Sequence, residues 1–183
     1  MWRREVGQYG LRMAEALEKM RAVTIASVHG YAVGGGLLLM ALCDLRIAAR
    51  DAQFFIPEVD LGVPLAWGGI PRLVREIGPA MTRELVMTCR HFTPDEAQAM
   101  GLVNRVVPAE RLRDETLALA NELLAKPSVP LVITKEHVNV AAQAMTAGCT
   151  GFGDGDALLA GLSEVESAEA AASYRERLQN RVK

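Results

Sequence analysis

His29-Gly30-Tyr31-Ala32-Val33-Gly34-Gly35-Gly36-Leu37-Leu38, entered from Val23-Thr24-Ile25-Ala26-Ser27-Val28, is the stretch on which the fold turns. A β-branched apolar run, then glycines, then Leu37-Leu38-Leu39-Met40-Ala41-Leu42-Cys43 reads as buried strand, tight turn and helix start. Glycines at that corner let a ligand approach bare backbone N–H groups, where the helix dipole favours negative charge. Such a corner can hold a phosphate or the oxyanion that develops on a carbonyl during catalysis. The bland alternative is a glycine corner kept only for close packing.

Working outward, Trp2, Val6, Tyr9, Met13, Leu17 and Met20 recur at helical spacing and predict an amphipathic helix with a core-facing stripe. After the corner helix, Leu45–Ala49 and Gln53–Ile56 read as short strands, and 68–77 and 81–88 as short helices. Thr93-Pro94-Asp95-Glu96 carries an N-cap threonine, a proline at the first helical position and a glutamate that closes a capping box. That helix should stop at Gly101, before a strand over 103–107. Beyond it the chain turns helical, at 113–125, 131–144 and 167–181, with Pro127 and Pro130 as breaks and 148–155 as a glycine-rich loop. Two regions are expected: an α/β body over 1–111 and a helical region over 112–183.

Composition narrows the function. The 183 residues are half hydrophobic and carry a net charge of −2, as an ordinary globular protein does, with no basic face for nucleic acid. No apolar run reaches membrane-span length, and the first twenty residues lack the apolar core of a secretion signal. Cys43, Cys89 and Cys149 are odd in number and show no CxxC spacing, so reduced thiols and a cytoplasmic setting are expected, with no zinc site. Asp154 and Asp156 lack the calcium-loop pattern, and His91 and His137 stand apart. His29 reads as a packed histidine, and Asp44 and Arg46 as a structural, buried pair.

Gly30-x-x-x-Gly34-x-Gly36 also matches the glycine spacing of short-chain dehydrogenases, which seat a dinucleotide there. Those enzymes need a Tyr-x-x-x-Lys pair, and none of Tyr9, Tyr31 and Tyr174 has a lysine four positions on. That reading has no catalytic group.

Far more of the chain fits another pattern. Residues 26–36 (Ala26 through the three glycines), Cys43-Asp44-Leu45-Arg46-Ile47-Ala48, Ala52-Gln53-Phe54-Phe55-Ile56-Pro57-Glu58-Val59-Asp60-Leu61-Gly62 and Gly101-Leu102-Val103-Asn104-Arg105-Val106-Val107-Pro108 stand in the order of the crotonase, or enoyl-CoA hydratase/isomerase, family. The chain resembles that family from near Met1 to its end, and Ile133-Thr134-Lys135-Glu136 resembles the family's lysine-bearing helix. The resemblance implies an α/β spiral of ββα units, here N-terminally incomplete, and a C-terminal helical region that packs into homotrimers or hexamers. It implies an acyl-CoA thioester as substrate or ligand, with no other cofactor and no metal.

The resemblance also assigns roles. The Gly35 N–H would be one oxyanion donor, flanked by Gly34 and Gly36, and Glu58 the acid/base. Leu38, Pro64, Ala66 and Trp67 would line the substrate site, although Trp67 equally fits plain core. Hydratases of the family use two glutamates, and the position of the first carries Leu38. A single carboxylate suffices to move a double bond, so a 3-enoyl to 2-enoyl isomerase is expected ahead of a residual hydratase. The aspartate that dienoyl isomerases add would fall at Ala66. A non-catalytic acyl-CoA-binding or assembly subunit is the rival from another class. In the family pattern, strands and a second oxyanion loop precede a helix like that of 1–20. Their lack here predicts weak CoA grip and uncovered apolar surface.

Overall fold

The computed structural model describes residues 2–146 and 153–181. The side chains of Trp2 and Val6, residue Cys149 and most of the expected 148–155 loop lie outside what is described. The chain runs α1 (Trp2–Glu18), β1 (Ile25–Val28), β2 (Tyr31–Val33), α2 (Gly35–Ala41), β3 (Leu45–Ala49) and β4 (Gln53–Phe55). It continues through α3 (Gly69–Thr88), α4 (Pro94–Ala99), β5 (Arg105–Val107), a 3-10 turn at Ala109–Arg111, α5 (Leu112–Leu124), α6 (Ser128–Ala144), α7 (Asp154–Ser163) and α8 (Val165–Arg181).

Two small parallel sheets form the body: β1-β3-β5 in one, β2-β4 in the other. Parallel strands need crossovers. Here α2 links β2 to β3, and α3 with α4 lies between β4 and β5. The strand β2 is absent from the sequence reading, which ran Tyr31–Val33 into the corner. It exists because Gly30 and Gly34, both at positive φ (62° and 49°), bracket Tyr31–Val33, whose outer two residues favour strand. The chain thereby leaves the first sheet at Val28 and pairs Tyr31–Val33 with Gln53–Phe55 in the second. Among the described residues β1 pairs only with β3 and β2 only with β4, and Tyr31 is 75 % exposed.

The main core lies between the sheets and α2, α3 and α4, around Leu37, Phe54, Leu73, Leu85, Phe92 and Leu102. A smaller cluster packs Leu112 and Leu119 of α5 on Ile47 and Ala49, at the other face of β3. The expected boundary at 112 therefore falls where α5 joins the sheet.

Several expectations are corrected. Among the described side chains of α1 the buried residues are small, Gly10 and Ala14, while Leu17 is half-buried, Tyr9 and Met13 are 56 % and 39 % exposed, and Met20, just past the helix, is 46 % exposed. Small residues let the helix approach its neighbours closely, and α1 lies along α7. The two helices expected over 68–88, by contrast, do form: α3 is two helices meeting at a kink where Gly78 leaves the helical conformation (φ 75°, ψ 166°), and Pro79 opens the second. The α6 helix begins three residues before the expected 131, because Pro130 sits in its first turn, where no intrahelical N–H is needed. Asp154 and Gly155, read as loop, open the unforeseen α7, and the next helix starts at Val165. The capping box forms as read: Thr93 Oγ1 accepts from the Glu96 N–H, and Glu96 Oε2 accepts from the Thr93 N–H.

Candidate active site

At the corner, Gly34 opens α2 with φ 49° and ψ −116°, and its N–H donates to the Phe55 carbonyl at 3.1 Å. The absence of a side chain there has a visible cause. A Cβ on Gly34 would stand 2.4 Å from Glu58 Oε1. The Glu58 carboxylate therefore lies directly on the corner backbone. On the neighbouring Gly35, a Cβ would stand 2.5 Å from Cζ3 of the Trp67 indole, whereas Gly36 faces open space. Adjacent glycines thus carry a carboxylate on one and an aromatic ring on the next. The Gly35 N–H belongs to the first turn of α2, where backbone donors have no partner within the helix.

Glu58 stands in a run of turns after β4, where its carbonyl accepts from the Leu61 and Val63 N–H groups. Its Oε2 is buried without a hydrogen-bond partner. Burial pushes its pKa above the usual carboxylate value, opposed only by its own backbone N–H. A carboxylate so placed is a stronger base than one in water.

Of the other expected site residues, Leu38 is buried in the main core, its methyls against Gly69, where a Cβ would meet them at 2.8 Å. Ala66 is buried. Pro64 is exposed and faces Gly161 of α7, a Cβ on which would stand 3.1 Å from its Cδ. The corner thus brings together Gly34, Gly35, Glu58 and Trp67, whereas Pro64 turns toward the C-terminal helices. Sequence reading missed the residues that hold the loop. Trp67 and Gly68 both adopt positive φ (61° and 65°). For a bulky residue that conformation costs about 1–3 kcal/mol and persists only where the surroundings impose it. Arg72 Nη1 donates to both of their carbonyls at 3.0 Å, its Nε and Nη2 grip Glu18, and Asp154 Oδ2 accepts the Gly68 N–H at 2.6 Å. Only the adjacency of Trp67, Gly68 and Gly69 signals the turn in sequence; of its clamps Arg72 lies one turn on, whereas Glu18 and Asp154 come from remote segments.

His29 is exposed, not packed. Asp44 and Arg46 do not pair with one another: Asp44 binds Lys135 of α6 at 2.7 Å and Arg46 binds Glu76 at 2.6 Å. Adjacent strand side chains point to opposite faces, so residues two apart share a face yet find nearer partners on packed helices. A groove of about 810 Å³ lies away from the corner, between the end of α1, α3 and α6, walled by Glu18, Arg75, Lys135 and Asn139. Of its charged side chains, Glu18 and Arg75 pair with one another and Lys135 pairs with Asp44.

This is a crotonase-like arrangement of ββα units with helices following, and the comparisons agree. The family model described as enoyl-CoA hydratase/isomerase matches residues 4–182, and the chain belongs to that family. A crotonyl-CoA hydratase of Syntrophomonas wolfei is 40 % identical over 140 residues, covering 76 % of this chain and 54 % of that protein. A short-chain-enoyl-CoA hydratase of Clostridium acetobutylicum is 36 % identical, covering 74 % of this chain and 52 % of its own length. The chain therefore spans about half the length of these curated relatives. Among solved structures, an enoyl-CoA hydratase from Mycobacterium avium subsp. paratuberculosis superposes with TM-score 0.86 at 23 % identity, over 92 % of this chain and 70 % of that one. At that identity the likeness speaks for the fold. A methylmalonyl-CoA decarboxylase superposes with TM-score 0.79 at 30 % identity, over 91 % of this chain and 67 % of that one.

Proposed function

We propose that the chain binds an acyl-CoA thioester at the Gly34–Gly36 corner and shifts a double bond from the 3- to the 2-position with Glu58 as its only acid/base. The observation that carries this reading is the Glu58 carboxylate, desolvated and seated on Gly34 one residue from the Gly35 N–H. With the thioester oxygen on that N–H, Glu58 takes a proton from C2. The C2–H electron pair moves into a dienolate whose oxygen is held by the backbone donor, and Glu58 returns the proton at C4. The proton beside a thioester is only weakly acidic, so base and oxyanion donor must act on the same bound molecule.

The names of the two hydratase relatives favour hydration instead. A hydratase needs a second group to hold and activate water, and the position that the family resemblance assigns to it carries buried Leu38. Leucine transfers no proton, which supports isomerisation over hydration.

The test is turnover of a 3-enoyl-CoA and of a 2-enoyl-CoA by the chain and by Glu58→Gln. Isomerisation that disappears in Glu58→Gln is the expected result. Equal isomerisation by both proteins removes Glu58 from the mechanism. Hydration of the 2-enoyl ester without isomerisation moves the assignment to hydratase, and binding without any turnover moves it to a non-catalytic subunit.

A further inference from the structure

Trp67 does more than fill space. Its indole is wedged between two helices, in contact with α1 on one side and the corner on the other. A Cβ on Gly10 would stand 2.0 Å from Nε1, and one on Gly35 2.5 Å from Cζ3. Both positions are glycine, so the ring lies flush on bare backbone at each side. The space beyond Gly35, on the α1 side of the corner, is occupied by aromatic carbon.

The ring is also held against its own backbone preference. Trp67 lies at φ 61°, and the next residue, Gly68, at 65°. Three polar groups of that turn are clamped. Both carbonyls accept from Arg72, whose guanidinium is bound by Glu18 of α1, and the Gly68 N–H donates to Asp154 at the start of α7. A side chain pinned by three elements in an unfavourable conformation is a rigid wall.

We infer that Trp67 closes the acyl end of the corner and restricts the site to short acyl chains, with Asp154 as a positioning residue that holds the wall in place. The inference rests on the thioester reading above. With the thioester carbonyl at Gly35 and its C2 at Glu58, the carbons beyond meet the indole within a few bonds. An added methylene that finds no room is discriminated by roughly 10- to 200-fold in pockets of this kind.

The experiment is calorimetric binding of two unreactive esters, butyryl-CoA and decanoyl-CoA, to the chain and three variants. The chain should bind butyryl-CoA at least about tenfold more tightly than decanoyl-CoA. Trp67→Ala should bring the two affinities to within about threefold, mainly by improving decanoyl-CoA. Asp154→Ala should shift the ratio in the same direction, and Asp154→Asn, whose amide oxygen still accepts the Gly68 N–H, should restore it. Equal affinities for the two esters in the unaltered chain overturn the inference while leaving the thioester reading intact, and this holds even if Trp67→Ala does not fold. A preference for butyryl-CoA that survives in folded Trp67→Ala overturns the role of Trp67. Failure of both esters to bind the folded chain overturns the thioester reading and, with it, the inference.

Discussion

At the scale of single residues, Glu58 is where stability and chemistry oppose each other. Its carboxyl is partly desolvated, one oxygen has no partner, and its pKa is raised. A raised folded-state value means that ionisation costs more in the folded chain than in the unfolded one. No penalty exists below the unfolded value, where both states are protonated, and it grows as pH rises through the folded value. Glu58→Gln keeps the shape and removes the charge. It should therefore raise the melting temperature at pH 7, by about 2–4 °C for each kcal/mol relieved, and leave it nearly unchanged at pH 4. Thermal unfolding at the two pH values checks this. The proposed isomerase activity should run the other way, rising with pH as the base ionises, with its acid limb above the usual carboxylate range. Leu38 sets the opposite limit. It is 3 % exposed, so Leu38→Glu buries an unpaired carboxylate and should lower stability by on the order of 3 kcal/mol, read from urea unfolding.

At the scale of elements, the joint between α1 and α3 carries the site. Glu18 near the end of α1 binds Arg72 at 2.5 Å and Arg75 at 2.7 Å, with the three side chains 18 %, 9 % and 12 % exposed. Burial pushes the Glu18 pKa up, but the two guanidinium groups outweigh it and the net value lies below normal. The stability from this cluster is accordingly present above the ordinary carboxylate range and lost as pH falls through the lowered value. Glu18→Ala leaves two buried cations without their partner and should cost about 3–5 kcal/mol, measured by urea unfolding at pH 7. The loss should shrink as pH falls through the lowered Glu18 value, where the parent chain is itself protonated at this carboxylate. Because Arg72 also holds the Trp67 and Gly68 carbonyls, Glu18→Ala should disturb the corner from a distance.

At the scale of the molecule, the helical region leaves much apolar surface uncovered. No residue of α6 is buried, and Leu124, Val129, Val138, Val140 and Met145 are 80 %, 62 %, 59 %, 68 % and 70 % exposed. Exposed apolar residues in such number mark surfaces that meet other protein. Closed symmetric assembly of like chains is the commonest way to bury them, and the homotrimer or hexamer implied by the family resemblance is the expected product. Sedimentation over a hundredfold range of concentration should show self-association, and Val138→Asp with Val140→Asp should reduce it. A well-folded monomer throughout would exclude it.

The sequence alone determined much at the local level. The glycine corner, the Thr93 capping box, the Gly101 stop and the order of motifs follow from local backbone preferences and spacing, which act within a few residues. The pairing of Glu58 with the glycines was legible only through resemblance to a family, because nothing local brings Pro57-Glu58 to residues 34–35. Tertiary structure decided the rest. It split Ile25–Val33 between two sheets at Gly30, turned Tyr9 and Met13 of α1 outward in favour of Gly10 and Ala14, and sent Asp44 to Lys135 and Arg46 to Glu76. It also placed Arg72 and Asp154 on the Trp67 turn. Apart from the short reach from Arg72 to its own turn, these are contacts between residues distant in the chain, chosen by which surfaces can approach closely and which charges would otherwise be buried alone. Spacing along one element carries no record of the element that will pack against it.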